Sequence, residues 1–286
     1  MAIEVKNITK TYGGCCALDG VSLRFGENKI YGLLGNNGAG KTTLLNIITN
    51  RIYATGGEVV VDGELAPGND RMLHKMFMVG EKNLYPDDMR VKKAFSVTKL
   101  FYPDFDEQYA LEVSKRFGLN TKKKITALST GYASIFRLIT GLSSNTPYLL
   151  LDEPVLGLDA QHRDMFYKLL IEKYSSAPCT VIISTHLIQE VAELIEHTVI
   201  IRDGRIIKDM PSEELLSGAY TVSGPARLVD EYLAGRETIS ETALGGLKTA
   251  CVQGVPDSAA LPVGIELGRI NLQDYFISLM NGEDAK

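Results

Sequence analysis

An α/β fold is predicted by three observations. First, an apolar run (Ile30, Tyr31, Leu33, Leu34) leads into Gly35-Asn36-Asn37-Gly38-Ala39-Gly40-Lys41-Thr42, and a helical pattern (Leu44, Leu45, Ile47, Ile48) follows. Second, two further short apolar runs, Tyr148–Leu151 and Thr180–Ser184, alternate with helical stretches. Third, from about Asn83 to Leu142 the strand signals vanish and helical periodicity takes over.

The elements read in order as follows. Ile3/Val5, Val21/Leu23/Phe25 and Glu58–Asp62 are short strand candidates bounded by Gly or Asn. In the helical segment, Ile135, Leu138, Ile139 and Leu142 share one helix face. Ile188, Val191, Ala192 and Ile195 form another such face, and Val199–Ile207 reads as a hairpin turning at Asp203-Gly204. After about Ser217 the composition becomes richer in Gly, Ala and Ser. Near the end, Leu272, Tyr275, Phe276 and Leu279 fall on one face of a helix. The expected division is therefore a main domain at 1–217, with its helical part at about 83–142, and a small α+β appendage at 218–286.

Composition narrows the function. The chain has 286 residues, a net charge of −5 and a pI near 5.5, a balance that gives no general attraction to nucleic acid or anionic lipid. No apolar run is long enough to span a bilayer. Met1-Ala-Ile-Glu-Val-Lys6 reads as an alternating strand and not as a signal peptide. The expectation is that any membrane contact comes through a partner. Cys15, Cys16, Cys179 and Cys251 lack metal-ligand spacing and suggest no disulfide framework. Lys122-Lys123-Lys124 reads as a solvated surface, with a phosphate-binding role as the unsupported alternative.

Gly35 to Thr42 fit G-x-x-x-x-G-K-[ST], in the strand–loop–helix setting that a phosphate loop requires. The glycines let successive backbone N–H groups turn inward, and the helix aims its positive end at the same spot. Lys41 is the candidate for the β- and γ-phosphates, and Thr42 for Mg²⁺. Asp152 and Glu153 end an apolar strand. In phosphate-loop enzymes a carboxylate there holds Mg²⁺, and a second acid can act as general base. Alone, the pair would read equally well as a turn former before Pro154. Ser129 has the chemistry of a helix N-cap, and Gly131 allows a close backbone approach. By itself that turn is an ordinary cap, although such a terminus also binds anions. His186 follows a buried strand, where a lone histidine is usually a capping or core residue. Tyr12 lies in a turn beside Gly13-Gly14 and could stack on a base. Glu81 opens the helical segment and alone reads as a solvated acid.

Taken together, the chain resembles the nucleotide-binding subunits of ATP-binding cassette (ABC) transporters from Ile3 to about Met210. The order carries the resemblance. It runs aromatic loop (Tyr12), Walker A (Gly35–Thr43), switch loop (Glu81), signature (Leu128–Tyr132), Walker B (Leu149–Glu153), Gly157-Leu158-Asp159 and Ser184-Thr185-His186. It implies a P-loop NTPase cassette with a mixed sheet core, an antiparallel β subdomain, a helical subdomain and the C-terminal appendage. The expected activity is hydrolysis of ATP with Mg²⁺. Two cassettes, identical or homologous, would pair head to tail.

By resemblance, Gly35, Asn36, Asn37, Gly38, Ala39, Gly40, Lys41, Thr42 and Thr43 would cradle the phosphates, and Tyr12 would meet the base. Thr42, Glu81 and Asp152 would serve Mg²⁺. Glu153 would be the general base and His186 would touch the γ-phosphate and the attacking water. Ser129 and Gly131 would complete the partner's site, and Asp159 would couple the two sites. The expected place is the cytoplasmic face of the cell membrane, peripheral, on a permease encoded separately. The narrower likeness is to bacterial exporters of amphipathic peptides or drugs; the alternative is a soluble ABC ATPase. Leu84, Tyr85, Phe95, Phe101 and Tyr102 are candidates for permease docking or for subdomain core. Three departures stand out: Thr130 and Tyr132 where the family has Gly and Gln, Glu81 in place of Gln, and Val155-Leu156 before Gly157.

Overall fold

A computed structural model describes residues 1–86, 88–256 and 261–281. The chain opens with a long antiparallel hairpin, β1 (Ala2–Tyr12) and β2 (Cys15–Gly26). Gly13 and Gly14 turn it at φ 51° and 96°, a region that glycine enters without a Cβ penalty. Next come β3 (Ile30–Leu34), α1 (Lys41–Ile48), β4 (Gly56–Val61), β5 (Glu64–Leu65), α2 (Asp70–Leu73) and β6 (Met76–Val79). The helical insertion contains α3 (Val91–Phe101), α4 (Glu107–Arg116), a 3₁₀ turn at Ile125–Ala127, and α5 (Thr130–Leu142). It is followed by β7 (Tyr148–Asp152), α6 (Ala160–Ser176), β8 (Thr180–Thr185), α7 (Ile188–Val191), β9 (His197–Arg202) and β10 (Arg205–Pro211). The last elements are α8 (Ser212–Ser217), β11 (Ala219–Pro225), α9 (Ala226–Leu233), β12 (Thr238–Leu244), β13 (Leu247–Gln253), β14 (Glu266–Arg269) and α10 (Leu272–Asn281).

Contacts divide the chain into two compact units, Met1–His186 with Val199–Asp209, and Leu187–Thr198 with Met210–Lys286. In the first, a four-stranded antiparallel sheet has the order β2-β1-β4-β5. A six-stranded sheet has the order β10-β9-β3-β8-β7-β6, with β3, β8, β7 and β6 parallel. The parallel strands are apolar without alternation because both faces are covered, and β3 and β8 are buried throughout. Apolar side chains of both sheets, among them Ile3, Phe25, Leu33, Val61, Leu150 and Ile182, form one core with α1. In the insertion, Ile135, Leu138, Ile139 and Leu142 of α5 are all buried, as their spacing requires. Phe95 is fully buried between Phe105 and Phe136, so it belongs to that core and is not free to dock a partner.

The second unit has its own sheet, order β12-β13-β11-β14, antiparallel throughout. Tyr220, Val222, Ala250 and Val252 pack against Val229, Tyr232 and Leu233 of α9 as a separate small core.

Asp62 ties the two sheets of the first unit together. It sits at φ 53° in the turn after β4, and its carboxylate accepts from Tyr148 Oη (2.6 Å), Lys75 Nζ (2.6 Å) and the Ala2 N–H (2.9 Å). Burial alone would raise its pKa, but the bonds from Lys75, Tyr148 and Ala2 outweigh that and lower it. A carboxyl whose pKa falls on folding stabilises above the unfolded carboxylate range and loses that contribution as pH falls through the folded value. Asp62→Asn keeps a residue tolerant of positive φ. We expect it to destabilise the protein at pH 7 by about 1–3 kcal/mol. The gap to wild type should close as pH falls below about 4, in urea melts recorded across pH. A gap independent of pH would refute the role of the charge.

Candidate functional site

The site forms where β3, β8 and β7 end side by side. Leu34 pairs with Thr185, and Asp152 with Ser184, so the register alone brings the glycine loop, the two acids and the Ser-Thr-His turn together. The carboxyl ends of parallel strands are where such sheets bind ligands.

The loop's shape depends on its glycines. A Cβ on Gly35 would lie 2.4 Å from the Ile201 carbonyl oxygen, and one on Gly40 would lie 2.7 Å from that of Ala17. Gly40 (φ 108°) is the N-cap of α1, where the helix's positive end begins. Ala39 is buried and its N–H closes a turn onto Asn36 O at 3.1 Å, while Asn36, Asn37 and Gly38 stay exposed. Lys41 is only 6% exposed. Its ammonium donates to Gly35 O (2.7 Å) and Asn36 O (3.2 Å) and lies 3.7 Å from Glu153 Oε1. Burial lowers the Lys41 pKa, and the charges of Glu153 and Asp152 push it back up.

The acids are held in different ways. Asp152 accepts from Ser184 Oγ at 2.9 Å and is hydrogen-bonded to the Thr42 hydroxyl. Burial raises its pKa against those two bonds. Thr42 and Asp152 are adjacent hard oxygen donors, a set suited to Mg²⁺. Glu153 stands at φ 47°, a backbone conformation costing about 1–3 kcal/mol for a residue of this type. Its N–H bonds to Ser184 O at 2.8 Å. One carboxylate oxygen meets His186 Nδ1 (2.9 Å) and the other accepts from Thr185 Oγ1 (3.0 Å). His186 is exposed, so this carboxylate faces the open side of the site.

The signature turn lies elsewhere in the chain. Ser129 caps α5, its Oγ accepting from the Tyr132 N–H at 3.4 Å. Thr130 is the first residue of α5, so the threonine needs no glycine-like backbone freedom. Gly131 faces Gly157, whose carbonyl oxygen would be 3.4 Å from a Cβ there. Asp159 caps α6, accepting from the His162 N–H (2.9 Å) and meeting His162 Nδ1 (2.8 Å). These bonds, the backbone one first, lower its pKa. The His162 ring stacks on Phe117 (5.7 Å) and lies 6.3 Å from the Tyr132 ring. Among the described contacts, none joins Ser129 or Gly131 to Lys41, Asp152 or Glu153.

Two further candidates stand apart. Tyr12 is the last residue of β1, exposed, with Lys10 Nζ 4.9 Å over its ring; no described contact takes it to the glycine loop. Glu81 lies in the loop after β6, well before α3 begins, and its carbonyl oxygen accepts from Arg137. Its described partners do not include Thr42 or Asp152.

The roles of Thr185 and His162 were not anticipated from sequence. Thr185 had a signal, the hydroxyl pair before His186. His162 had only its place at the third position of a helix. If the glycine spacing sets the loop, Gly35→Ala should weaken ATP binding by about tenfold or more, read with a fluorescent nucleotide analogue. Unchanged affinity would show that the strand carbonyl yields.

Residues 18–156 match the family described as ABC transporter. The tungstate uptake system ATP-binding protein TupC of Peptoclostridium acidaminophilum is 30% identical over 216 residues, 72% of this chain and 97% of that protein. The bacitracin transport ATP-binding protein BcrA of Bacillus licheniformis is 26% identical over 216 residues, 74% of this chain and 71% of that protein. A dimeric post-hydrolysis structure of the ATP-binding cassette MJ0796 bound to ADP and Pi superposes with a TM-score of 0.65 at 25% identity, covering 73% of this chain and 98% of that one. With this loop at the end of β3 and these acids at the end of β7, the chain belongs to the ABC transporter family as one of its ATP-binding, ATP-hydrolysing subunits.

Proposed function

We propose that the chain is the motor of a membrane exporter for amphipathic peptides or drugs, working as a head-to-tail pair of cassettes on a separate permease at the cytoplasmic membrane face. One observation carries the paired-site reading. Lys41, Asp152 and Glu153 are gathered at one place, while Gly131 is held beside Gly157 and Ser129 caps the helix that Gly131 belongs to. The chain thus presents two halves that a second copy could join.

In this reading Lys41 leaves the loop carbonyls for the β- and γ-phosphates. Thr42 and Asp152 would hold Mg²⁺, with Glu81 as a further candidate oxygen donor, and the metal would supply neutralisation of phosphate charge. Glu153 takes a proton from the water that attacks the γ-phosphorus, and the bond to the ADP oxygen breaks. Thr185 and His186 fix that carboxylate's orientation. Ser129 and Gly131 contact the partner's γ-phosphate, and Tyr12 meets the base. ATP then acts as adhesive between subunits, and hydrolysis releases them.

Among the described residues no helix is long and apolar enough to cross a membrane, and the reading puts the permease on a separate chain. Leu84 (63% exposed) and Phe101 (62%) are free to meet it. Tyr85 and Tyr102 are half-buried, tied to Thr98 and to Met76 O. A concavity lined by Phe77, Val79, Tyr85 and Arg137 adjoins the loop of Glu81. The likeness to the bacitracin transport protein supports a peptide or drug cargo, and a likeness to an uptake protein stands beside it.

Glu153→Gln should cut phosphate release at least about a hundredfold, yet allow an ATP-dependent dimer on size exclusion. Near-normal turnover would remove Glu153 as the base, and absence of the dimer would remove the paired-site reading. Tyr132→Gln should change turnover only mildly, because the ring's described aromatic contact is with His162 and not with the phosphate site; complete loss would reveal a specific role for the ring.

A further inference from the structure

The fold assembles a strip of positive charge that neither its overall charge nor its sequence order announces. Lys122-Lys123-Lys124 is laid antiparallel against Arg90–Lys92 at the start of α3. Arg90 bridges Lys124, Val91 N–H donates to Lys123 O (3.1 Å), Lys92 N–H to Thr121 O (2.9 Å), and Ile125 N–H to Met89 O (2.9 Å). Six exposed cations, Arg90, Lys92, Lys93 and Lys122 to Lys124, are thereby held side by side. Among the described residues no carboxylate is ion-paired with any of them, although the exposed Asp88 stands two residues before Arg90. The nearby Glu107 carboxylate is taken by Ser96 Oγ at 2.8 Å.

This arrangement works against folding. Like charges repel, and they sit at the positive end of an eleven-residue helix whose first turn holds no acid. α4 shows the ordinary solution, with Asp106 as cap and Glu107 in its first turn. Beside the strip, Lys99 and Leu100 share the outward face of α3 with Lys92 and Lys93, opposite the buried Val91, Ala94, Phe95 and Thr98. Leu100 is 78% exposed. A basic helix face carrying an exposed apolar side chain fits a membrane surface. The chemistry of the cations also discriminates. Five of the six are lysines, hydrated point charges suited to a diffuse layer of headgroups; fixed, bidentate pairing with a protein carboxylate favours arginine.

We propose that this strip binds the anionic lipid headgroups of a membrane surface directly. The contact adds to whatever a permease supplies and departs from the expectation that the membrane is reached only through a partner. It does not depend on transport direction or cargo.

The test is co-sedimentation of the full chain with vesicles of phosphatidylcholine alone or mixed with phosphatidylglycerol. Binding should require phosphatidylglycerol and weaken as salt rises. The triple variant Lys122→Gln, Lys123→Gln, Lys124→Gln should lower partitioning by about a hundredfold while ATPase activity without vesicles stays unchanged. Removing the same charge at Lys29, Lys115 and Lys168 should have little effect. No binding of wild type to the anionic vesicles, equal binding by the strip variant, or equal loss in the control variant each overturns the proposal. So does a strip variant that binds vesicles normally but no longer copurifies with a permease, which would assign the strip to an acidic protein surface.

Discussion

The buried ammonium of Lys41 is the constraint around which the site is organised. A charge taken out of water is costly unless nearby groups replace the lost solvent. Here the replacements are the carbonyls of Gly35 and Asn36 and the Glu153 carboxylate. The carbonyls turn inward only because the loop can hug the sheet, and that closeness excludes a Cβ at Gly35 and Gly40. The carboxylate reaches Lys41 from the end of β7, two strands away from β3 in the sheet, so the strand register is part of the same requirement. Glu153 then takes a left-handed backbone that a glutamate avoids. Its N–H to Ser184 and its two side-chain partners hold it there. Strain, glycine placement and register all trace to stabilising one charge where a phosphate can later compete for it.

The second half of the proposed site is held by a different device. Asp159 is tied to His162 by two bonds, and the His162 ring lies against Phe117 and beside Tyr132. Tyr132 departs from the family signature, yet it is not a loose end. It places an aromatic edge next to a histidine that orients Asp159. The signature turn and the start of α6 are thus in mutual contact, whereas their described contacts do not extend to Lys41. An ATPase so arranged has its phosphate-binding loop and its signature turn in separate places. A second copy could bring such parts together, and that is why the proposed mechanism is about assembly as much as about chemistry.

What was legible in the sequence follows from the range of each signal. Local chemistry carried the glycine loop, the Ser129 cap, the buried face of α5 and the Asp203-Gly204 hairpin, because each depends on residues a few positions apart. β6 was missed: Met76-Phe77-Met78-Val79 has neither alternation nor β-branched enrichment, and its strand state comes from pairing with β7. The periodicity from Leu187 to Ile195 overstated a helix that covers only Ile188–Val191, although Ile195 is buried as that face requires. Phe95 was ambiguous between docking and core because aromatic spacing on a short helix serves both. The structure resolves it by surrounding the ring with Phe105 and Phe136. His162 had only its helix position, three residues after Asp159, and the pairing of Lys122–Lys124 with Arg90–Lys92 had no sequence signal, since it depends on contacts between segments about thirty residues apart.

That last pairing shows how whole-chain charge can mislead. A net charge of −5 argues correctly against a diffuse attraction to anions. It is silent about concentration. At a Debye length of about 8 Å in physiological salt, a surface responds to the charges within its own neighbourhood and not to the sum. The backbone bonds between Met89–Lys92 and Thr121–Ile125 bring two basic runs together, a local gathering that the total does not register. Since those bonds are local to the insertion, a chain of negative net charge can still present a basic edge. The structural cost of that edge, set at a helix end that already repels cations, is difficult to explain by stability alone.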